Sequence, residues 1–202
     1  MSGHHKNEKV FDSKKAANLD SPERQQRIPS AAIVSAARLF QGIRVADVGS
    51  GTGYYSFALL NSSTPPRRID AVDSSAEMNL FFHNKLPAHS LKDRVHIHEG
   101  SGEHLPLKDD SVDLVIMGNV FHEFDDPQKA LSEANRVLRQ RGRILIMDWA
   151  IPADTSKEPE AGPPYTHRRS EADVRQELLS AGFSDIEEHH GFTNTYALSG
   201  SK

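Results

Sequence analysis

The chain of 202 residues carries a formal net charge of −4 at pH 7 and no cysteine. That length suits one domain with a substantial core. Mild acidity without a basic stripe excludes a duplex nucleic-acid partner, because phosphate recognition rests on clustered Lys and Arg. The lack of cysteine excludes disulfides and thiolate metal sites. No apolar run is long enough to span a bilayer, and the polar start Met1–Lys9 holds no export signal, which makes the cytoplasm the default compartment.

Apolar patterning alternates between strand-like and helix-like segments, the mark of an α/β fold with a mainly parallel sheet. Residues 1–29 are set apart as an N-terminal cap segment, and residues 30–202 as a single domain. Ser30–Phe40 predicts a helix with Gly42 close behind its end. Arg44–Val48 predicts the first strand and Tyr54–Leu60 the helix after it. Arg68–Val72 predicts a second strand, followed by Asp73, Ser74 and Ser75, whose oxygens suit the cap of a helix over Ala76–Lys85. Val95–His98 alternates as a third strand. Val112–Met117 is a near-continuous apolar run of the kind buried on both faces. Pro127–Arg139 predicts a helix and Arg143–Asp148 a fifth strand. Pro152, Pro159, Pro163 and Pro164 predict a loop over residues 150–165, covering a site. Ser170–Ala181 predicts a helix, and Ile186–Glu188 with Tyr196–Leu198 an antiparallel hairpin at one edge.

The segment Val45–Tyr54 concentrates the chemistry. A β-branched run ends in glycines at 49, 51 and 53, and an apolar helical pattern starts directly behind them. Strand, tight turn and helix N-terminus in that order let backbone amides approach a ligand closely, since glycine has no Cβ and tolerates positive φ. A dinucleotide fingerprint needs its third glycine where Tyr54 stands, and no Gly-Lys-Ser/Thr follows for a P-loop. Asp73 lies 24 residues beyond Gly49, at the end of the second strand. An acid there is placed to accept hydrogen bonds from both hydroxyls of a ribose, and equally to cap the next helix.

What remains, Asp47-Val48-Gly49-Ser50-Gly51-Thr52-Gly53, resembles the first motif of class I S-adenosylmethionine (SAM) methyltransferases. The Asp109–Val115 stretch, the Asn119–Pro127 loop, Ala130–Arg143 and Glu177–Phe183 are similar to later segments of the ubiquinone/menaquinone-biosynthesis-like group. The resemblance implies a doubly wound, Rossmann-like seven-stranded sheet in the order 3-2-1-4-5-7-6 with the last strand antiparallel. It implies SAM as cofactor and S-adenosylhomocysteine (SAH) as product. It further implies a cofactor shell of Asp47, Gly49, Ser50, Gly51, Gly53, Tyr54, Asp73, Ser74, Met78, Ser101, Gly102, Glu103 and Asn119. Relatives carry an Asp where Ser101 stands, and Gly-Gly where Arg141-Gly142 stands.

Several of these residues admit a plainer role. Asp47 suits a structural acceptor for loop amides as well as a ligand contact, and Met78 suits core packing as well as an adenine wall. His122-Glu123 invites a metal reading together with His167, but neighbours on an extended segment point to opposite faces, so no metal site is expected. The expected partner is a small-molecule methyl acceptor, with arsenite excluded for want of cysteine; oligomeric state is left open. His122 is the candidate catalytic residue, in a pocket roofed by residues 11–24 and 150–165. Phe11, Phe121, Trp149 and Tyr165 would wall that pocket and suit an aromatic or lipid-like acceptor. The alternatives are a non-catalytic SAM/SAH-binding regulatory module and a nicotinamide oxidoreductase, the latter opposed by Tyr54.

Overall fold

The computed structural model describes residues 20–86 and 92–202. Two short helices lead in, α1 (Pro22–Arg27) and α2 (Ser30–Ala37). The chain then alternates β1 (Arg44–Val48), α3 (Tyr54–Leu60), β2 (Arg68–Asp73), α4 (Ala76–Lys85) and β3 (Val95–Glu99). It continues through β4 (Val112–Gly118), α5 (Pro127–Val137), β5 (Leu138–Trp149), α6 (Glu171–Ser180), β6 (Ser184–Glu188) and β7 (Thr195–Ser201). The strands form one seven-stranded sheet in the order β3-β2-β1-β4-β5-β7-β6. Pairings among β1 to β5 are parallel, and β7 runs antiparallel to both β5 and β6. The expected topology is observed.

Strand residues divide between two cores by the two-residue alternation of the pleat. On one face Val45, Ile69, Leu114 and Leu145 pack with Ile33 of α2 and Tyr55 and Leu59 of α3. On the other, Ala46, Val115 and Ile144 pack with Leu131 and Ala134 of α5 and Val174 and Leu178 of α6. Helix starts carry side-chain caps that fix where each helix begins. Ser75 accepts the Met78 amide, Asp126 the Lys129 amide and Ser170 the Asp173 amide.

Three boundaries differ from the sequence expectation. First, the covering segment is not wholly irregular: Pro22–Arg27 is helical, with Ser21 accepting the Arg24 amide and proline at the helix start, where its missing N–H is no loss. Phe11 and residues 11–19 of that segment lie outside the described residues. Second, α2 stops at Ala37 because Arg38 takes a left-handed conformation, φ 47°. Third, α5 ends at Val137, since Leu138 already pairs with Val112; the register then shifts through Arg141 (φ 66°) to Leu114 opposite Arg143.

Candidate functional site

The carboxyl ends of β1, β2, β4 and β5 converge on the glycine loop. Gly49, Gly51 and Gly53 all have positive φ, at 68°, 51° and 82°. A Cβ at Gly49 would sit 2.4 Å from Val120 and one at Gly53 2.3 Å from Phe82, so the turn needs glycine for space as well as conformation. Asp73 ties the loop to β2: one oxygen accepts the Gly51 amide at 2.8 Å and the other the Ser75 amide at 2.9 Å. Burial raises the Asp73 pKa, with the two amide bonds opposing it.

Asp47 is 1% exposed. Its Oδ2 accepts both the Ser56 amide, at 3.1 Å, and the Ser56 hydroxyl, at 2.6 Å, so the structural role is filled by one oxygen. Among the described residues its Oδ1 is buried without a hydrogen-bond partner, as are Ser50 Oγ and Asn119 Nδ2. Burial pushes Asp47 up to about 6, against the Ser56 bonds. Buried polar atoms are nearly always paired, so an orphaned acceptor and two orphaned hydrogen-bonding atoms beside a glycine turn are the trace of a polar ligand. Asn119 itself holds φ 54° and receives Tyr55 Oη at 2.8 Å and Arg24 Nη2 at 3.3 Å on Oδ1.

Arg24 and Tyr55, neither singled out by sequence, thus brace the β4 end. The Arg24 guanidinium stacks 4.4 Å from the Tyr54 ring centroid and 5.5 Å from that of Tyr55. Tyr54 is buried and donates to Ile28 O at 2.7 Å, so its ring backs this brace. Met78 is also buried, while Ser74 and Ser101 are exposed. Gly102 is buried against Phe124, where a Cβ would meet the ring at 2.5 Å. Ser101 Oγ accepts the Glu103 amide, and Glu103 Oε1 accepts the Asp126 amide.

On the acceptor side, His122 meets Asp148, the last residue but one of β5. The His122 amide donates to Asp148 Oδ2 at 2.8 Å, and Nδ1 lies 2.8 Å from Oδ1. The His122 side chain is 8% exposed and that of Asp148 1%. Burial alone would lower the His122 pKa, but the Asp148 bond and charge, with Glu123, raise it. Nε2 lies 3.7 Å from Glu123 Oε1. Among the described residues no group of three metal-ligating side chains forms.

The expected apolar wall is corrected. Phe121 is fully buried in the core, because its ring packs edge-on against Phe124 at 5.9 Å. Trp149 lies between two cations, with Arg27 at 5.0 Å and Arg168 at 5.3 Å from its ring. Arg168 also stacks on Tyr165 at 4.7 Å and donates to the carbonyls of Ala150, Ala161 and Pro163. The proline-rich loop is therefore pinned, by one buried arginine, beside the His122–Asp148 pair.

The pattern of the methyltransferase-domain family matches residues 46–146, from within β1 to within β5, and takes in the carboxyl ends of β1, β2 and β4. The chain belongs to that family. This methyltransferase domain is 32% identical over 114 residues to a demethylmenaquinone methyltransferase of Lactiplantibacillus plantarum, covering 56% of the chain and 48% of that protein. It is 34% identical over 151 residues to a malonyl-acyl-carrier-protein O-methyltransferase of Methylococcus capsulatus, covering 71% of the chain and 52% of that protein. The chain thus spans about half the length of these curated relatives. A solved SAM-dependent methyltransferase of Aquifex aeolicus superposes with a TM-score of 0.79 at 27% identity, over 95% of this chain and 99% of that one. SAM is accordingly the cofactor of the domain, and the orphaned atoms around the glycine loop fit it: an acceptor, Asp47 Oδ1, for its ammonium, and polar groups on Ser50 and Asn119 for its carboxylate.

Proposed function

We propose that the domain transfers a methyl group from SAM to a small-molecule acceptor held over the ends of β4 and β5, with His122 as base where the acceptor must lose a proton. The observation carrying this reading is the His122–Asp148 pair, 2.8 Å apart and buried beside the glycine loop's neighbouring strand end. SAM supplies an electrophilic methyl group for in-line displacement. The residues of the chain then have mainly to hold and orient.

Asp73 reads the ribose: a carboxylate offers about four lone-pair sites, and the Gly51 and Ser75 amides occupy two. The glycine turn, held by its Gly49 and Ser50 amides on Val72 O and its Gly51 amide on Asp73, brings its backbone up to the methionine end, and Ser101 and Gly102 with Met78 bound the adenine. Asp148 holds Nδ1–H of His122, which leaves the Nε2 lone pair for the acceptor proton, the same division of labour as in any carboxylate-oriented imidazole. The wall of Trp149 and Tyr165 between Arg27 and Arg168 favours an acceptor with an apolar body and an oxygen that carries negative charge. This revises the aromatic or lipid-like expectation in one respect, the charge.

A tritiated-methyl screen against metabolite extracts identifies the acceptor. Single-turnover kinetics of His122→Ala then test the base, with an expected fall of about tenfold or more and SAH affinity intact. An unchanged rate removes His122 from the reaction.

A further inference from the structure

The amino end of the sheet carries a second cluster of charge. Two of the five parallel strands begin at an arginine, Arg44 of β1 and Arg68 of β2, while Arg94 precedes β3 and Arg143 opens the stretch of β5 paired in register with β4. The basic residues are dispersed in sequence and gathered by the fold. Beside Arg143 lies a cavity of about 210 Å³. Its floor is apolar, from Ala37, Ile43 and Leu114, and Phe40 stands in it 54% exposed. Arg38, Arg141 and Arg143 also line it, as does one carboxylate, Asp113.

The nearby carboxylates are already engaged. Asp113 accepts the Arg44 amide at 2.8 Å and Arg139 at 3.1 Å, and Glu187 pairs with Arg38 at 2.5 Å. Arg143 is half-buried, and among the described residues its guanidinium donates to Ser199 Oγ, at 2.7 Å. Among the described residues neither Arg141 nor Arg143 has an ion pair. Burial and the like charge of Arg38 both depress the Arg143 pKa. His189, whose Nε2 lies 2.8 Å from the same Ser199 hydroxyl, is depressed by burial and by Arg143 and Arg38, a second report of positive potential at this spot.

The backbone adds an independent observation. Arg38 (φ 47°) and Arg141 (φ 66°) both occupy the left-handed region, where glycine or asparagine is the favoured residue. Arg38 ends α2 and Arg141 carries the register shift of β5, so these two turns set two arginines on the lining of one cavity, beside a third that is partly desolvated.

We propose that this cavity binds a small organic anion, a phosphate or carboxylate whose charge sits among Arg38, Arg141 and Arg143 and whose apolar body rests against Phe40 and Ile43. It lies at the far end of β1 from the glycine loop, about 16 Å along the strand, and is therefore a site separate from that of SAM. Arginine suits the charge because its planar fork binds such oxygens bidentately.

The test is thermal melting of the full chain, with SAH saturating, in phenyl phosphate, inorganic phosphate or benzyl alcohol at matched ionic strength. Phenyl phosphate is expected to raise Tm saturably, inorganic phosphate more weakly, and benzyl alcohol not at all. In Arg141→Gly, apparent affinity for phenyl phosphate falls about tenfold, the equivalent of one charge-assisted hydrogen bond. The same variant keeps its ligand-free Tm, or exceeds it, and keeps its SAH affinity by calorimetry. Equal responses to phenyl phosphate and inorganic phosphate, or an undiminished response in Arg141→Gly, overturn the proposal.

Discussion

The two ends of the parallel sheet differ in sign. β1 carries Arg44 at its start and Asp47 near its end, β2 runs from Arg68 to Asp73, and the stretch of β5 in register with β4 starts at Arg143 and leads to Asp148. Parallel pairing stacks these like ends together, so a charge order repeated along the chain becomes one basic edge and one acidic edge. The acidic end is fitted: its carboxylates accept the amides of Gly51, Ser75, Ser56, His122 and Trp149. The basic end is less settled, with Arg141 and Arg143 lacking carboxylate partners among the described residues and two arginine backbones in the left-handed region. An end closed by amide hydrogen bonds is rigid and preorganised for one cofactor. An end with unbalanced charge has affinity left over for something else.

The comparison is broken most severely at Asp73. Asp73→Ala leaves the Gly51 amide without its acceptor and, on the proposed reading, removes two charge-assisted ribose bonds worth about 1.5–3 kcal/mol each. SAH affinity by calorimetry should fall about a hundredfold or more. An unaltered Kd would detach Asp73 from the cofactor. A methyl group at Gly53 should act through the fold instead. Its φ of 82° and the 2.3 Å approach of Phe82 predict a loss of about 2–3 kcal/mol in urea denaturation for Gly53→Ala. A loss below about 0.5 kcal/mol would mean that the loop relaxes freely.

How much of this was legible in the sequence follows the separation of the residues involved. The glycine loop, Asp73 and the capped α4 are declared by residues within 36 positions of Gly49, so the cofactor end could be read from them, while the strand order came with the family resemblance. His122 was found as a titratable residue after β4, but its partner Asp148 lies 26 residues away and is brought there only by the β4–β5 pairing. The buried Arg24 brace was missed although Ser21-Pro22-Glu23 is a helix-start signal, because six residues make too short a periodic pattern to declare a helix. The basic edge was invisible as a stripe, since its arginines are spread over a hundred residues and only the parallel topology collects them.

Asp47 sharpens the comparison through pH. Its folded pKa, about 6, lies above the ordinary 3.8, so the ligand-free fold has its full stability below pH 3.8 and loses part as pH rises through about 6. The loss assigned to this group is about 3 kcal/mol. An ammonium placed against Oδ1 favours the ionised form, so SAH affinity should rise with pH up to about 6 and level off beyond, by up to about tenfold per unit. Calorimetry near pH 5.5 in buffers of different ionisation enthalpy should detect proton release on binding. Asp47→Asn should abolish both the release and the slope. A flat affinity profile from pH 4.5 to 7 would mean that Asp47 does not face the ligand.

The smallest expected effect belongs to the basic end. Arg141 holds φ 66°, where an L-residue is disfavoured by about 1–2 kcal/mol relative to the right-handed region. Arg141→Gly removes that strain, and the greater freedom of glycine in the unfolded chain offsets about 0.4–1 kcal/mol of the gain. The net change should lie between zero and about 1.6 kcal/mol of stabilisation by urea denaturation. Arg38→Gly relieves a similar φ of 47° but also removes the exposed ion pair with Glu187. Such a pair contributes about 0–1 kcal/mol, so Arg38→Gly should come out less favourable than Arg141→Gly and salt should narrow the gap. If Arg141→Gly instead destabilises by more than about 1 kcal/mol, the arginine is a packing element of the turn and the strain at this end serves the fold.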